Sequence, residues 1–238
     1  MPGKNNVVII GAARTPIGKL SGGLSEVAAP LLGGVAVRAA IERSNIEPKE
    51  VDFAIVGNVL NSGLGQSPAR QAAIAGGLPK TCASLNVSQV CASGMMAVIL
   101  GTQMVKVGDA KMVVAAGMEN MSQAPHVLKG SREGLRLGDW KLVDSMLYDG
   151  LWCCFSDRPM GDLAERVAGS FDVGREEQDL FALMSHKRAM AAIKGGHFRR
   201  EISPVEVVSE AGTRVIDTDE GPRRSVSLET LKSLKPAF

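Results

Sequence analysis

Several features are scarce in this chain, and each scarcity excludes something. Only four cysteines occur in 238 residues, at irregular spacing. That excludes a disulfide framework, and Cys153-Cys154 stand too close for the usual two-ligand spacing of a zinc motif, so no metal is expected. Free thiols of this kind point to a reducing, cytoplasmic setting. The longest apolar runs read as strand-sized, so no transmembrane helix and no membrane partner are expected. The opening Met1-Pro2-Gly3-Lys4-Asn5-Asn6 has no secretory h-region and no Arg-rich transit peptide behind it. An excess of one charge is also missing. The formal net charge is +2 without a dense Lys/Arg stripe, which by itself argues neither way on nucleic acid; none is expected as a partner. What remains is 45% hydrophobic and 22% charged residues with few aromatics. That is the composition of a soluble globular chain, long enough for one large domain or two modest ones.

The first 120 residues alternate between strand and helix patterns. Val7–Ile10 reads as an apolar strand ended by Gly11, and 29–44 as a helix closing near Asn45 and Pro48. Strand 53–59, helix 68–75 (stopped by Gly76-Gly77), strand 84–90, helix 92–107 and strand 112–116 follow. Short apolar strands separated by helices predict an α/β fold with a mostly parallel sheet covered on both faces. From 121 to about 159 the rhythm breaks into an irregular excursion rich in glycine. Helices are predicted over 160–171 and 175–194. The second has Gly174 at its N-cap, Glu177 as half a capping box, and a core stripe of Leu180, Phe181, Met184, Ala191 and Ala192. A short strand over 202–208 and a polar tail end the chain. The domain reading is 1–120 for the α/β domain and 121–238 for a second unit. That unit divides into the excursion 121–159, a helical part 160–196, and a strand and tail 197–238.

The residue with the clearest chemical potential is Cys91. It lies where a buried strand meets an amphipathic helix carrying Met95, Val98, Ile99, Thr102 and Val105 on one side. A thiol at a helix N-terminus faces the positive end of the macrodipole, which favours the thiolate. Ala92, Ser93 and Gly94 leave room for a ligand to approach the sulfur. Isolated cysteines are also among the most buried residues, and Cys82, Cys153 and Cys154 read as small core hydrophobes. Position alone leaves Cys91 open between the two uses.

Resemblance favours the first. The run Leu85-Asn86-Val87-Ser88-Gln89-Val90-Cys91-Ala92-Ser93-Gly94-Met95-Met96-Ala97 resembles the acyl-enzyme segment of the thiolase family. Five further motifs resemble the family in the same order. They are Val8–Gly18 with its Arg14-Thr15-Pro16, Gly65–Gln71, Ala116–Pro125, Met160-Gly161 with Arg175–Asp179, and Leu234–Phe238. The resemblance implies a thiolase-like half: an N-terminal α/β domain plus loop domain, with the C-terminal sister domain absent.

It further implies an acetyl-CoA C-acetyltransferase, an acyltransferase in which Cys91 is the acyl-thioester nucleophile and a backbone oxyanion donor. Substrate contacts are expected at Leu151 and Met160. Coenzyme A contacts are expected at the basic cluster His186-Lys187-Arg188 and at Arg223, whose planar guanidinium suits a purine. Acetyl-CoA, acetoacetyl-CoA and CoA are then substrates rather than cofactors, and the whole enzyme is expected as a homodimer or homotetramer of fatty acid metabolism. The family's Gly-His-Pro, Asn-Glu-Ala and second-cysteine motifs do not occur. The chain as given is therefore expected to be inactive alone, with a separate C-terminal half as a possible partner. His126, His186 and His197 read as surface or packing residues, His186 on the exposed side of its helix. Pro159 stands where short-chain enzymes of the family carry histidine, which leaves a degradative 3-ketoacyl-CoA thiolase of broader chain length as the alternative. A non-catalytic CoA-binding or assembly partner is the alternative of another class.

Overall fold

Proline and glycine set the limits of the first helices. The computed structural model describes residues 6–134, 136–210 and 212–238; the leading residues 1–5, read above as carrying no leader, lie outside them. Helix α1 (Ala29–Ser44) has Pro30 in its first turn, where a missing N–H leaves nothing unpaired, and Asn45 ends it in the left-handed conformation. Helix α2 (Pro68–Ala75) opens on proline and stops at Gly76. Both ranges match the sequence pattern.

Strands β1 (Phe53–Gly57), β2 (Ala83–Val87) and β3 (Val113–Gly117) form a parallel sheet in the order β2-β1-β3. Gly57 lies opposite Val87 on one side and Gly117 on the other, so all three strands end level. Side chains alternate across the sheet. Ala54 and Val56, with Val114 and Ala116, pack on Val37, Ile41, Ala69 and Ala73 of α1 and α2. On the other face Val113 and Ala115 approach Gly101 of α3 (Ser93–Val107). Burial of a side chain the size of Val56, fully enclosed here, contributes about 1.5–3 kcal/mol. Strands β1 and β2 end two and three residues sooner than the apolar pattern predicts. Past Gly57 the Val59 N–H donates to the Glu119 carboxylate at 2.9 Å instead of to a neighbouring strand.

The excursion is less irregular than its sequence. Strand β4 (His126–Leu128) pairs antiparallel with β5 (Leu142–Asp144), and β6 (Trp152–Cys153) with β7 (Arg158–Pro159), around a π-type turn at Met146–Leu151. Buried Ser145 donates to the Pro125 carbonyl at 2.5 Å and closes the excursion on itself. Helices α4 (Met160–Ser170) and α5 (Arg175–Lys194) follow. The Gly174 N–H donates to the Glu177 carboxylate at 3.1 Å, so the predicted half capping box is present. The strand expected over 202–208 is instead β8 (Val205–Ser209), half of a hairpin with β9 (Gly212–Ile216), and Val205 and Val207 bury against Leu24 and Leu32. The expected polar tail contains β9 and a helix, α6 (Leu228–Lys232). Arg175 holds α6 by donating to the Leu231 and Leu234 carbonyls at 2.7 and 2.9 Å.

Three expectations are corrected. Val7–Ile10 makes no strand pairing among the described residues; Ile9 is 81% exposed, and an apolar cleft of about 790 Å³ separates this run from β3. A strand needs a neighbour within hydrogen-bonding reach, and the free edge of β3 lies across the cleft from this run rather than against it. The stripe on α5 is not core: Leu180, Phe181 and Met184 are exposed, and the residue α5 buries is Asp179, paired with Arg175 at 3.0 Å. The expectation of strand-sized apolar runs overlooks a helix-length window of high mean hydropathy, interrupted only by Ser93, Thr102, Gln103 and Lys106. The window Val90–Val107 has a mean hydropathy of 1.5 and, by length and composition alone, could cross a membrane. Its small residues, Ser93, Ala97 and Gly101, are the ones buried against the sheet.

The chain is closed by a long-range carboxylate clamp. Arg14 makes a two-pronged contact with Asp219 at 2.7 and 2.9 Å, and reaches Glu201 at 3.1 Å with its guanidinium over the Phe198 ring. The Ile17 N–H also donates to Asp219, at 2.8 Å. The Arg14 hydrogen bond, and then the Ile17 N–H, hold the Asp219 carboxyl below its ordinary value of 3.8. A carboxylate lowered by folding stabilises the fold where both states are ionised, and that contribution disappears as pH falls through its folded value. The urea midpoint is therefore expected to hold from neutral pH to about pH 5 and to decline below it. Asp219→Asn should have a lower midpoint at pH 7 and a shallower acid decline. Equal acid slopes in the two proteins would show that the clamp adds nothing.

Candidate active site

At the end of β2 the chain must turn sharply to start α3, and Val90 carries the strain. Its φ is +49°, a left-handed conformation unfavourable for a β-branched residue. Ser93 holds it there. The Ser93 hydroxyl accepts from the Gln89 N–H at 2.8 Å and donates to the Val90 carbonyl at 2.6 Å, while the Ser93 N–H donates to the same carbonyl at 3.1 Å. Ser93 is 4% exposed, so these bonds are shielded from water. Cys91, between Val90 and the first turn of α3, is exposed.

Three glycines set how close this turn lies to the sheet. A Cβ on Gly57 would stand 2.5 Å from the Ser93 carbonyl carbon and 2.6 Å from the Gly94 nitrogen. One on Gly117 would stand 3.4 Å from Gly94 Cα. The start of α3 thus rests on the bare ends of β1 and β3, and Cys91 projects beyond the carboxyl edge of a parallel sheet, where α/β folds place ligands. From sequence, Ser93 reads only as a small residue that leaves room. The structure makes it the staple of the turn, and its spacing from Gln89 was the one local signal.

The other cysteines differ in environment. Cys82 is buried, as expected, and burial raises its thiol. Cys153 is half-buried and Cys154 exposed, which corrects their reading as core residues: Cys153 ends the two-residue strand β6 and Cys154 begins the turn to β7, and neither element is covered by a further layer. The Ser156 hydroxyl, and then the N–H groups of Ser156 and Phe155, lower the Cys153 thiol.

The expected substrate residues fall into two groups. Leu151 is half-buried at the end of the π-type turn, and Met160, 37% exposed, opens α4. Next to Met160 the Phe238 ring lies on Gly161, where any Cβ would collide with it. Elsewhere, His186 is half-buried rather than exposed, because its Nδ1 accepts from the Arg223 N–H at 3.2 Å. That bond leaves the ring proton on Nε2. The sequence alone did not link these two residues. Lys187 and Arg188 beside them are exposed, as are His126 and His197. Among the described residues no group of His, Cys, Asp and Glu is arranged to hold a metal.

Ser93→Ala removes both hydroxyl bonds and leaves the Gln89 N–H without its partner. It is expected to destabilise the chain by about 1–3 kcal/mol in urea unfolding and to slow alkylation of Cys91. An unchanged rate together with an unchanged midpoint would show that the turn holds itself.

Comparison with known proteins bears on the family and the fold. The family model described as thiolase, N-terminal domain, matches residues 7–238. An acetyl-CoA acetyltransferase of Pseudomonas aeruginosa and one of Cupriavidus necator are each 48% identical over 234 residues, 98% of this chain and 60% of theirs. The solved structure of an acetyl-CoA acetyltransferase from Syntrophomonas wolfei superposes with a TM-score of 0.90 at 42% identity, over 97% of this chain and 58% of that one. The chain thus spans about 60% of the length of these relatives. On the family match, the α/β fold and the helix-end cysteine, this chain belongs to the thiolase family, as its N-terminal domain.

Proposed function

We propose that the chain is the N-terminal part of an acetyl-CoA C-acetyltransferase, in which Cys91 carries the acyl group between coenzyme A thioesters. The supporting observation is the exposed thiol held by a strained, stapled turn at the N-terminus of α3. The Cys91 thiolate attacks the thioester carbonyl, the carbon–sulfur bond to CoA breaks, and CoA leaves as its thiolate, which takes up the proton the Cys91 thiol gave up. The Cys91 N–H is one donor to the oxyanion that forms. In the second half-reaction the enolate carbon of another acetyl-CoA attacks the acyl-enzyme, giving acetoacetyl-CoA and returning the thiolate. Thiolytic cleavage runs the same steps in reverse.

Two further needs, a base for the thiol and an acid/base for the methyl proton, have no candidate among the described residues. His126 and His197 are exposed, and His186 is committed to Arg223. The chain alone should therefore bind CoA but not turn it over. Pro159, which opens the way into α4 where the resemblance expects histidine in short-chain enzymes, supports the second reading, a 3-ketoacyl-CoA thiolase of broader chain length.

With limiting iodoacetamide, a C153S/C154S variant is expected to take the label at Cys91 and not at Cys82. An adduct on Cys82 alone would remove Cys91 as nucleophile. In a coupled thiolysis assay with acetoacetyl-CoA the chain should stay at background, with activity appearing on addition of a C-terminal half from a relative. Robust turnover by the chain alone would place the catalytic groups elsewhere, and faster cleavage of a longer 3-ketoacyl-CoA by the reconstituted protein would favour the second reading. A non-catalytic assembly role predicts no labelling preference and no complementation.

A further inference from the structure

Two adjacent carboxylates, Asp219 and Glu220, fasten one strap of chain to the N-terminal loop. Asp219 takes the Arg14 guanidinium and the Ile17 N–H. Glu220 accepts from the Lys19 N–H at 2.9 Å and the Gly23 N–H at 3.0 Å, and its own N–H donates to the Ile17 carbonyl at 3.0 Å. Glycine makes the second grip possible, since a Cβ on Gly22 would run into the Glu220 carboxylate. Those N–H groups hold the Glu220 carboxyl below its ordinary value, so it remains an ionised acceptor. Three residues further on, past Gly221 and the φ-restricted Pro222, the Arg223 N–H is fixed to His186.

The grips have a consequence for charge. Asp219 and Glu220 are the nearest acids in sequence to Arg223 and could neutralise it, but both are turned onto the 14–23 loop. No carboxylate pairs with the Arg223 guanidinium among the described residues, and it is exposed beside Lys187 and Arg188. The strap therefore fixes the backbone of Arg223 at His186, next in sequence to Lys187 and Arg188, and leaves its guanidinium free to meet an anion.

We propose that Asp219 and Glu220 are positioning residues for the nucleotide end of coenzyme A: their grip on the 14–23 loop holds Arg223 against His186 and leaves its guanidinium unneutralised for a phosphorylated adenosine. This deepens the coenzyme A reading above and rests on it. Neither carboxylate touches the ligand.

The test titrates adenosine 3′,5′-bisphosphate, which carries the nucleotide end without the thioester arm, into the 238-residue chain and four variants. Arg223→Ala is expected to weaken binding by roughly tenfold. Glu220→Gln, which keeps one acceptor and so the fold, should weaken it by roughly three- to tenfold in the wild-type background and by nothing further alongside R223A. Gly22→Ala, which displaces the same carboxylate while leaving the strap's own sequence unchanged, should reproduce the E220Q loss. A purely structural role would instead lower affinity equally with and without Arg223, and that additivity overturns the proposal. Unchanged binding in both E220Q and G22A, with R223A still weakened, overturns it as well. Unchanged binding in R223A itself removes the coenzyme A reading of Arg223, and the proposal with it.

Discussion

The close seat of α3 on the ends of β1 and β3 is the contact on which the site depends. Gly57 and Gly117 end their strands level with each other, and neither carries a side chain between the sheet and the first turn of the helix. A Cβ on Gly117 would only reach van der Waals contact with Gly94, but had Gly57 been larger, its Cβ would have met the Ser93 carbonyl carbon at 2.5 Å and α3 would start several tenths of an ångström farther out. The Ser93 hydroxyl, which must reach both the Gln89 N–H and the Val90 carbonyl, would then lose one of them. Val90 has no intrinsic reason to stay at positive φ. The cost of that conformation, of order 1–3 kcal/mol, is offset by a buried bond network that requires the helix at this height. Exposure of Cys91 is the outcome of that sequence of constraints.

Much of the fold could be read from local pattern. The limits of α1, α2 and α5 follow from Pro30, Pro68, Gly76 and Gly195, because a missing N–H or a glycine stop acts within a turn. The parallel sheet follows from short apolar runs alternating with helices. Strand lengths were less legible, because Val59 and Leu60 are apolar like their neighbours while their N–H groups are claimed by Glu119, about sixty residues away. Val7–Ile10 failed for a related reason: hydrophobicity does not report whether a partner edge is available.

The site was legible in the same uneven way. Cys91 is conspicuous because its neighbours are small and its position is terminal, both local properties. The staple by Ser93 is local too but concealed, since a serine at that position fits a loop, a cap or a vacancy equally well. The Arg14–Asp219, Lys19–Glu220 and His186–Arg223 contacts join residues 205, 201 and 37 apart, and no periodicity carries such information. The Gly22-Gly23 pair was the signal available, since successive small residues in a non-helical segment often let a backbone N–H meet an anion.

The same contacts explain why the second part of the chain stays attached to the sheet domain despite modest apolar contact. Hairpin β8–β9 buries Val205 and Val207 against Leu24 and Leu32, a small cluster by comparison with the core between the sheet and α1. The polar clamp adds direction to it. Arg14 binds one acid from either side of the hairpin, Glu201 before β8 and Asp219 after β9, so the hairpin cannot pivot without breaking one pair. Exposed single ion pairs contribute little to stability, but Asp219 is only 8% exposed and its pairing is two-pronged, so solvent screens it less. By contrast, the outer side of α3, the cleft beside β3 and the α5 stripe leave large apolar side chains open to water. Exposed surface of that kind marks contact with something further. The hairpin junction does not have this character, so it completes itself within the chain while the sheet edge does not.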